Sequence, residues 1–313
     1  MAKAAPLSFN LCTDAAQWQA ALCAMDYTAL QQDWGYGEFM EQIGRRTVRL
    51  IWQNDHKILA AAQIITRRIG PIELVFALRS PVFVPDISDA DKIKILSDIS
   101  CRYPRRKLKF LILMPELGPN KIIHRALNKI FRQRIMTGNL NAVINLKHGV
   151  ENLRAAQSAA WRNRLVKAEQ SKLTVKIVRQ GPLMEWLLQQ ETAQEELRGY
   201  QALPPALVRE MIRLHWHPQD VWVAVAMLGK DPVAGQLWLR HGNSATYMYG
   251  VNTPAGRQEN AHNLLIWKMI ENLSAAGLYY ADMGPIDAET NAGLTRFKLE
   301  SGADPCELLG SYH

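Results

Sequence analysis

Alternating apolar and polar positions in the first half of the chain predict a small antiparallel meander. Three strands are expected, at 46–53, 57–67 and 72–78, because side chains with a period of two line one face of a strand. The apolar spacing then changes to the 3.6-residue period of a helix at 91–103. A continuous apolar run follows at 108–114 and predicts a buried strand.

The second half of the chain repeats this order of elements. Alternating positions predict strands at 221–228, 232–240 and 244–251, separated by short turns. Helical spacing follows at 261–276 and ends at Gly277, a residue type that favours the left-handed conformation after a helix. The last elements are predicted to be a strand, a helix and a strand, at 278–283, 289–300 and 305–312.

The two meanders can be superposed on each other. Residues 60–68 match residues 233–241, with Gln63 on Gln236. We therefore predict a duplicated α/β (α+β) unit with two mixed, mostly antiparallel sheets. A chain of 313 residues has room for two domains of ordinary size. We expect these domains at 1–150 and 151–313.

Short motifs occur in a fixed order over residues 30–313. The longest is the segment 277–304, which contains the pair Phe297-Lys298. The others are a Gly-rich segment, an Arg-x-Pro turn, a basic helix with its strand, an aromatic strand and a Leu-Leu-x-Trp helix, at 34–46, 79–81, 161–178, 247–250 and 264–267. Together they resemble the FemABX-type peptidyltransferases of the acetyltransferase-like (GNAT) superfamily. The resemblance implies two GNAT-like domains in tandem.

The activity that the resemblance implies is transfer of an aminoacyl group from aminoacyl-tRNA to an amine. The family's acceptor is usually a peptidoglycan precursor, and some relatives build small molecules instead. Two departures concern the acceptor. A Lys that often follows the first-domain Trp is absent, and Ser80 replaces the middle Gly of the Arg-Gly-Pro turn. The acceptor therefore stays open. No resident cofactor is implied, and acetyl-CoA is the alternative donor.

Lys298 is the expected catalytic cation. Aminolysis of an ester passes through an anionic tetrahedral intermediate, so the reaction needs positioning and a positive group near the developing oxyanion. The resemblance implies that the Lys of the Phe-Lys pair lies at the donor site. We expect Lys298 to face solvent on its helix, with Phe297 packed beside it to exclude water.

The remaining candidates are polar or aromatic residues near strand ends and turns. Asp282 ends a predicted strand, where a carboxylate can exchange a proton or simply cap a loop. Tyr247 and Tyr249 are two residues apart, so we predict that they project from the same face of their strand. Tyr247 is expected to face the reacting groups, and Tyr249 is expected to contact substrate. The predicted substrate-binding set also contains Trp34, Tyr36, Arg79 and Arg198, since a guanidinium pairs well with phosphate or carboxylate.

The segment before the helix at 261–276 disfavours an acyl-CoA donor. GNAT enzymes that use such a donor hold its pyrophosphate on backbone N–H groups of an [RQ]-x-x-G-x-[GA] loop. Alignment on Leu264-Leu265 puts Glu259 at the first small-residue position, where its carboxylate repels pyrophosphate. An acyl-CoA-dependent N-acyltransferase with this fold is the alternative. A non-catalytic protein that binds RNA or a membrane surface is a third hypothesis.

The net charge of +8 and the isoelectric point near 9.3 favour an anionic partner, which is RNA, a phosphorylated substrate or an anionic membrane surface. The predicted tRNA contacts lie on the basic helix, at Arg162, Arg164 and Lys167. No apolar run reaches the ~18 residues of a spanning helix, and no secretory signal is expected. The four Cys form no CxxC pair, and the eight His show no metal-like spacing. We therefore expect a cytoplasmic protein without a metal site.

Overall fold

The structure is a computed structural model that describes residues 7–55, 57–198 and 203–313, without the side chain of Arg198. The chain divides into two compact units, Met1–Asn139 together with Glu307–His313, and Leu140–Cys306. We predicted one boundary at residue 150. The C-terminal residues return to the first unit instead of ending in the second.

Seven strands and four α-helices are described between Leu7 and Asn139. Their bounds, in chain order, are β1 (Ser8–Leu11), α1 (Ala15–Cys23), α2 (Trp34–Gln42), β2 (Arg46–Asn54), β3 (Lys57–Ile69), β4 (Ile72–Leu78), β5 (Val82–Phe83), α3 (Asp89–Arg102), β6 (Lys109–Met114), α4 (Lys121–Ile130) and β7 (Arg134–Met136).

The described part of the chain from Leu140 onward contains eight further strands and seven further α-helices. They are β8 (Leu140–Asn145), α5 (Val150–Ala156), α6 (Ala159–Glu169), β9 (Leu173–Val178), α7 (Pro182–Arg198), α8 (Pro205–His215), β10 (Val221–Leu228), β11 (Asp231–His241), β12 (Ser244–Asn252), α9 (Pro254–Gln258), α10 (Ala261–Ala275), β13 (Tyr280–Pro285), α11 (Ala288–Glu300), β14 (Asp304–Glu307) and β15 (Ser311–Tyr312).

The first unit is built on a mixed sheet with the strand order β1-β2-β3-β4-β6-β15-β7, and β5 pairs with β3 outside this path. Among the described residues its strand pairings are antiparallel except that of β4 with β6, which run parallel from Glu73 opposite Lys109 to Leu78 opposite Met114. On its other side, β6 pairs antiparallel with β15, which comes from the C-terminal end of the described residues.

The second unit has the same order of strands. Its sheet runs β14-β8-β13-β12-β11-β10-β9, with β12 and β13 as the parallel pair. Here β8, which directly follows the last strand of the first unit, lies next to β13. The first sheet is therefore completed by a strand that follows the second unit in the chain, and the second sheet by the strand that begins its own unit. The predicted duplication with mixed, mostly antiparallel sheets is confirmed.

Local sequence explains where several helices begin. Ser88 caps α3 by accepting a hydrogen bond from Asp91 N, and acidic residues in the first turn suit the positive end of the helix dipole. The basic segment from Val150 to Glu169 forms two helices, because Ser158 interrupts it. Its hydroxyl accepts a hydrogen bond from Trp161 N at 3.1 Å and starts α6.

Large side chains fill a separate core in each unit. Trp52, Ile64 and Leu113 are fully buried in the first core. Trp161, Trp238 and Trp267 are at most 1% exposed in the second core, between the sheet and the helices α6 and α10. Close packing of this kind makes the loss of one large side chain costly.

Removal of the Tyr312 side chain should test the C-terminal strand. Tyr312 is fully buried in the first core, and its hydroxyl lies 2.7 Å from His124 Nδ1. We expect Tyr312→Ala to lower the free energy of unfolding by about 3–5 kcal/mol, because it leaves a cavity. Tyr312→Phe should cost only about 1 kcal/mol, the value of one hydrogen bond. Urea denaturation measures both changes, and equal midpoints for Tyr312→Ala and wild type would contradict the prediction.

Candidate active site

The parallel strands β12 and β13 separate soon after they meet. They pair only from Ser244 opposite Tyr280 to Thr246 opposite Asp282. Beyond this point β12 continues to Asn252 on the β11 side, while β13 continues to Pro285 on the β8 side. The separation leaves a gap at the carboxyl ends of both strands, which is where open α/β sheets commonly bind ligands.

Lys298, on α11, reaches the end of β13. Its Nζ donates a hydrogen bond of 2.9 Å to the carbonyl oxygen of Pro285. The side chain does not face solvent as we expected. The residue is only 5% exposed, because the helix turns its amphipathic stem into the core and delivers the ammonium group to the strand end.

The charge on Lys298 is held in a partly dehydrated setting. Burial lowers the pKa of Lys298 from 10.5 to about 8, and the nearby negative charge of Asp282 opposes this shift. Lys298 is therefore mostly protonated at neutral pH, but it needs little energy to lose its proton. A cation with weak hydration interacts strongly with a negative charge that develops next to it.

Asp282 is the last residue of β13 that pairs with β12, and it is 1% exposed. Its Oδ1 accepts a hydrogen bond of 2.7 Å from Gly284 N, which fixes the turn at the end of the strand. Gly284 has a φ of +80°, a conformation that side-chain-bearing residues rarely adopt. Asp282 thus shapes the backbone that holds Lys298 and supplies its counter-charge.

Tyr247 and Tyr249 lie on opposite faces of the sheet, contrary to our expectation. A β-bulge causes this, since Tyr247 pairs with Trp238 and Tyr249 with the adjacent Leu237, so Met248 is an extra residue. Tyr247 packs edge-on against Trp238, with ring centroids 5.1 Å apart. The Tyr249 hydroxyl instead donates to the carbonyl oxygen of Leu203. Side chains alternate between the two faces of a strand only where its pairing is regular.

His262 lies beside Tyr247, and sequence reasoning missed it. Its Nε2 is 2.7 Å from the carbonyl oxygen of Val251, which can only accept, so Nε2 carries the proton. Burial lowers the pKa of His262 to about 4, which keeps the ring neutral with Nδ1 as an acceptor. A Cβ at Gly250 would collide with both the Tyr247 hydroxyl and the His262 ring. The glycine therefore allows these two polar groups to meet.

Phe297 bridges the helices around this site. Its ring centroid lies 6.3 Å from those of Trp161 and His262. The structure thus brings Lys298 and Asp282 together at the end of β13, and it brings Phe297 and Tyr247 to His262. No sequence motif marks His262, because it is a single His in the first turn of a helix.

The predicted substrate-binding residues Trp34 and Tyr36 belong to the first unit. The guanidinium of Arg49 lies 3.6 Å above the ring of Trp34, and its Nε donates to Gln63 Oε1 at 2.6 Å. Burial lowers the pKa of Arg49 and raises that of Tyr36. A Cβ at Gly37 would lie within 3 Å of the side chains of Arg49 and Gln63, so glycine leaves room for their hydrogen bond.

Arg79, also in the first unit, is already engaged by a carboxylate. Its guanidinium donates two hydrogen bonds to Glu116, of 2.7 and 2.8 Å, and one of 3.2 Å to the Tyr27 hydroxyl. Arg79 has a φ of +50° and precedes Ser80 and Pro81 in a tight turn at the end of β4. For Arg198, the side chain lies outside the described residues.

The three predicted tRNA contacts differ in how far they are free to bind. Arg162 donates to the carbonyl oxygens of Ala155 and Gln157, at 2.8 and 2.6 Å, and so satisfies the end of α5. Arg164 is exposed and lies 3.7 Å from Glu300. Lys167 is exposed on the same helix. Arg162 thus has a structural task that Arg164 and Lys167 lack.

The described residues offer neither a cluster of metal ligands nor a helix that could span a membrane. No group of three or more His, Cys, Asp or Glu side chains there could hold a metal ion. Across the same residues, no helix combines the length and the apolar character needed to cross a bilayer.

Comparison with known proteins supports the fold. Residues 155–299 match the family model described as acetyltransferase (GNAT) domain. The crystal structure of FemX superposes with a TM-score of 0.80 and 13% identity, covering 97% of this chain and 96% of that one. A search of curated proteins finds no match to the chain.

Two other solved structures are less similar. The C-terminal domain of a putative lysylphosphatidylglycerol synthetase from Agrobacterium fabrum has a TM-score of 0.56 and 12% identity, with 96% of this chain and 92% of that chain covered. A tandem GNAT protein from the clavulanic acid biosynthesis pathway has a TM-score of 0.51 and 11% identity, with 98% of both chains covered. Residues 155–299 thus match an acetyltransferase (GNAT) domain, and the fold of the chain over nearly its whole length is similar to those of FemX and of the tandem GNAT protein.

Proposed function

We propose that this protein is an aminoacyltransferase that moves an aminoacyl group from aminoacyl-tRNA to an amine. The family match and the transferase-like fold support an amide-forming acyltransferase of the GNAT type. The choice of aminoacyl-tRNA follows the FemABX resemblance. It also fits the name of the lysylphosphatidylglycerol synthetase among the similar structures, which describes an aminoacyl product.

The segment between β12 and α10 is the observation that carries the choice of donor. Residues 254–258 form the short helix α9 in place of an open loop. Gly256 N bonds to Thr253 Oγ1, Arg257 N to Thr253 O, and Glu259 N and Asn260 N to carbonyl oxygens of the same segment. These N–H groups are therefore not free to bind a pyrophosphate, and the carboxylate of Glu259 would repel one.

Gly256 shows that this segment cannot easily open. A Cβ there would collide with the carbonyl oxygen of Val233 and with the side chain of Asn252. The short helix is thus packed directly on β11 and the end of β12. In the first unit, Asp89 and Asp91 occupy the first turn of α3, so that helix start also repels an anion.

The proposed reaction forms an amide bond and breaks the ester bond of the donor. The neutral amine attacks the ester carbonyl carbon, the carbonyl oxygen becomes an oxyanion, and the tRNA hydroxyl oxygen leaves with a proton from the amine. Protonated Lys298 stabilises the oxyanion, while Phe297 excludes water. The acceptor amine belongs to a peptidoglycan precursor or to a small metabolite.

Donor binding separates this proposal from its rival, an acyl-CoA-dependent N-acyltransferase, which the family match favours. We expect purified protein to deacylate aminoacyl-tRNA or transfer its aminoacyl group, with a mixture of radiolabelled aminoacyl-tRNAs as the probe. Acetyl-CoA should show no saturation below the millimolar range in calorimetry, because four N–H groups of the segment are already bonded within it and Glu259 repels an anion. Micromolar affinity for acetyl-CoA would favour the rival.

Replacement of Lys298 tests the proposed oxyanion contact. We expect Lys298→Met to lower single-turnover transfer by about 10²–10³-fold, the loss typical of one oxyanion-stabilising group. The free energy of unfolding at pH 7 should stay within about 1.5 kcal/mol, since Met fills nearly the same volume and carries no buried charge. Arg296→Met is the matched control, because it removes an exposed cation from the same helix. Equal rates for Lys298→Met and wild type would contradict the assignment.

The lowered pKa of Lys298 gives a second readout. If transfer needs the protonated form of Lys298, its rate should be highest below about pH 8 and should decline as the pH rises above this value. In the unfolded chain the pKa returns to 10.5, so the unfolded state binds more protons between these values. Stability of the wild type should therefore rise with pH across this window relative to Lys298→Met. If the difference in the free energy of unfolding between wild type and Lys298→Met does not change across this pH window, the pKa of Lys298 is normal.

Salt dependence tests the nucleic-acid partner. Each phosphate neutralised by a cation releases counterions, so the affinity for tRNA should fall with a log–log slope of about −0.7 to −0.9 per contact. Arg164→Glu with Lys167→Glu should weaken binding and reduce this slope. Arg162 is left unchanged in this test because it supports α5. Binding that responds to neither salt nor charge reversal would exclude these residues as tRNA contacts.

A further inference from the structure

Four neighbouring strands of the first unit's sheet begin or terminate at the same end of the sheet. β2 begins at Arg46, β3 ends at Ile69, β4 begins at Ile72 and β6 begins at Lys109. The register confirms the neighbourhood, because β2 and β4 are antiparallel to β3, and β6 is parallel to β4. We call the surface at this end of the sheet the basic face, and it consists of residues 43–46, 66–73 and 107–109.

The basic face surrounds a cavity of about 540 Å³ whose lining is strongly positive. Its single carboxylate, on Glu73, lies 2.8 Å from Lys109 Nζ and is thereby neutralised. The other charged side chains of the lining are all cations, and they are Arg45, Arg46, Arg68 and Lys107. Four uncompensated cations around one cavity favour an anionic ligand with several phosphate groups in reach.

Large aliphatic side chains stand exposed among these cations. Ile43, Ile69, Ile72 and Leu108 are between 37% and 50% exposed. Each directly follows or precedes the cavity-lining segments in the chain. Leu108 has a φ of +55°, a left-handed conformation that holds its side chain at the surface and adds no packing to the core.

The combination of cations with aliphatic side chains indicates which anion fits. Proteins that bind single-stranded nucleic acids present aromatic rings on which bases stack. None of the residues that line the cavity, and none of the four exposed apolar residues, is aromatic. Surfaces that bind membranes peripherally place large apolar side chains such as Leu, Phe or Trp at the level of the headgroups and cations against anionic lipids, and the four exposed aliphatic residues supply the apolar part here.

We propose that the basic face docks this protein on an anionic membrane surface. Arg45, Arg46, Arg68 and Lys107 contact lipid phosphates, and Ile69 and Leu108 enter the boundary between headgroups and acyl chains. The face lies at the opposite end of the sheet from the Arg79 turn, because that turn follows the end of β4. The proposal concerns a surface of the first unit and does not depend on which donor the protein uses.

Vesicle co-sedimentation of the full chain tests the proposal. Wild type should bind vesicles of phosphatidylcholine and phosphatidylglycerol in equal parts, and not vesicles of phosphatidylcholine alone. Arg46→Glu with Lys107→Glu should weaken this binding at least about tenfold, since each cation near such a surface contributes about fivefold. Ile69→Thr with Leu108→Asn should weaken it several-fold. Thr keeps the β-branch of Ile, and Asn tolerates the left-handed conformation at 108.

A matched variant controls for net charge. Lys57→Glu with Arg125→Glu makes the same change in charge at exposed positions of the first unit that do not line the cavity. This control should bind vesicles like wild type. The proposal is overturned if wild type ignores anionic vesicles, if it binds both kinds of vesicle equally, or if the control loses as much binding as the basic-face variant. A basic-face variant that keeps vesicle binding but loses tRNA binding would assign the surface to nucleic acid.

Discussion

The separation of β12 from β13 is the constraint on which the candidate site depends. Two parallel strands that stay paired use their facing N–H and C=O groups in hydrogen bonds along the whole length. Here the pairing stops after Thr246 and Asp282, and the bulge at Met248 follows directly in β12. The freed carbonyl of Pro285 then becomes available to Lys298. The position of the cation is thus set by where the sheet opens.

Buried cations in this fold are held by neutral acceptors more than by carboxylates. Lys298 donates to a backbone carbonyl, while Arg49 donates to Gln63 and to the carbonyl oxygen of Trp34. Desolvation lowers the pKa of both groups. A fully compensated ion pair, such as Arg79 with Glu116, has less charge left to offer a ligand. This contrast supports Lys298 as the more reactive cation.

Patterns with short range in the sequence predicted much of the architecture. The two meanders, the match of Gln63 with Gln236 and the helices after them depend on neighbouring residues. Both glutamines are indeed buried on the third strand of their sheets, β3 and β11. The fold class and the FemABX-like resemblance are confirmed by the comparisons.

Features that depend on distant partners were not visible in the sequence. The segment 305–312 was expected to be one strand, but Leu308 to Gly310 interrupt it and its two parts, β14 and β15, join different sheets. The bulge that separates Tyr247 from Tyr249 depends on the register with β11. His262 acquires its setting from Val251, Gly250 and Phe297, which no local pattern relates to it. The burial of Lys298 likewise depends on β13.

The origin of β15 has a consequence for how the protein is made. This strand follows the whole second unit in the chain, yet it lies between β6 and β7 of the first sheet. Translation of the intervening chain, at about 5–20 residues per second, takes roughly ten seconds or more. During that time β6 presents an unpaired edge, which can accept a strand from another chain. Crowded nascent chains on one messenger are therefore exposed to domain swapping, with the C-terminal strand of one copy completing the sheet of its neighbour.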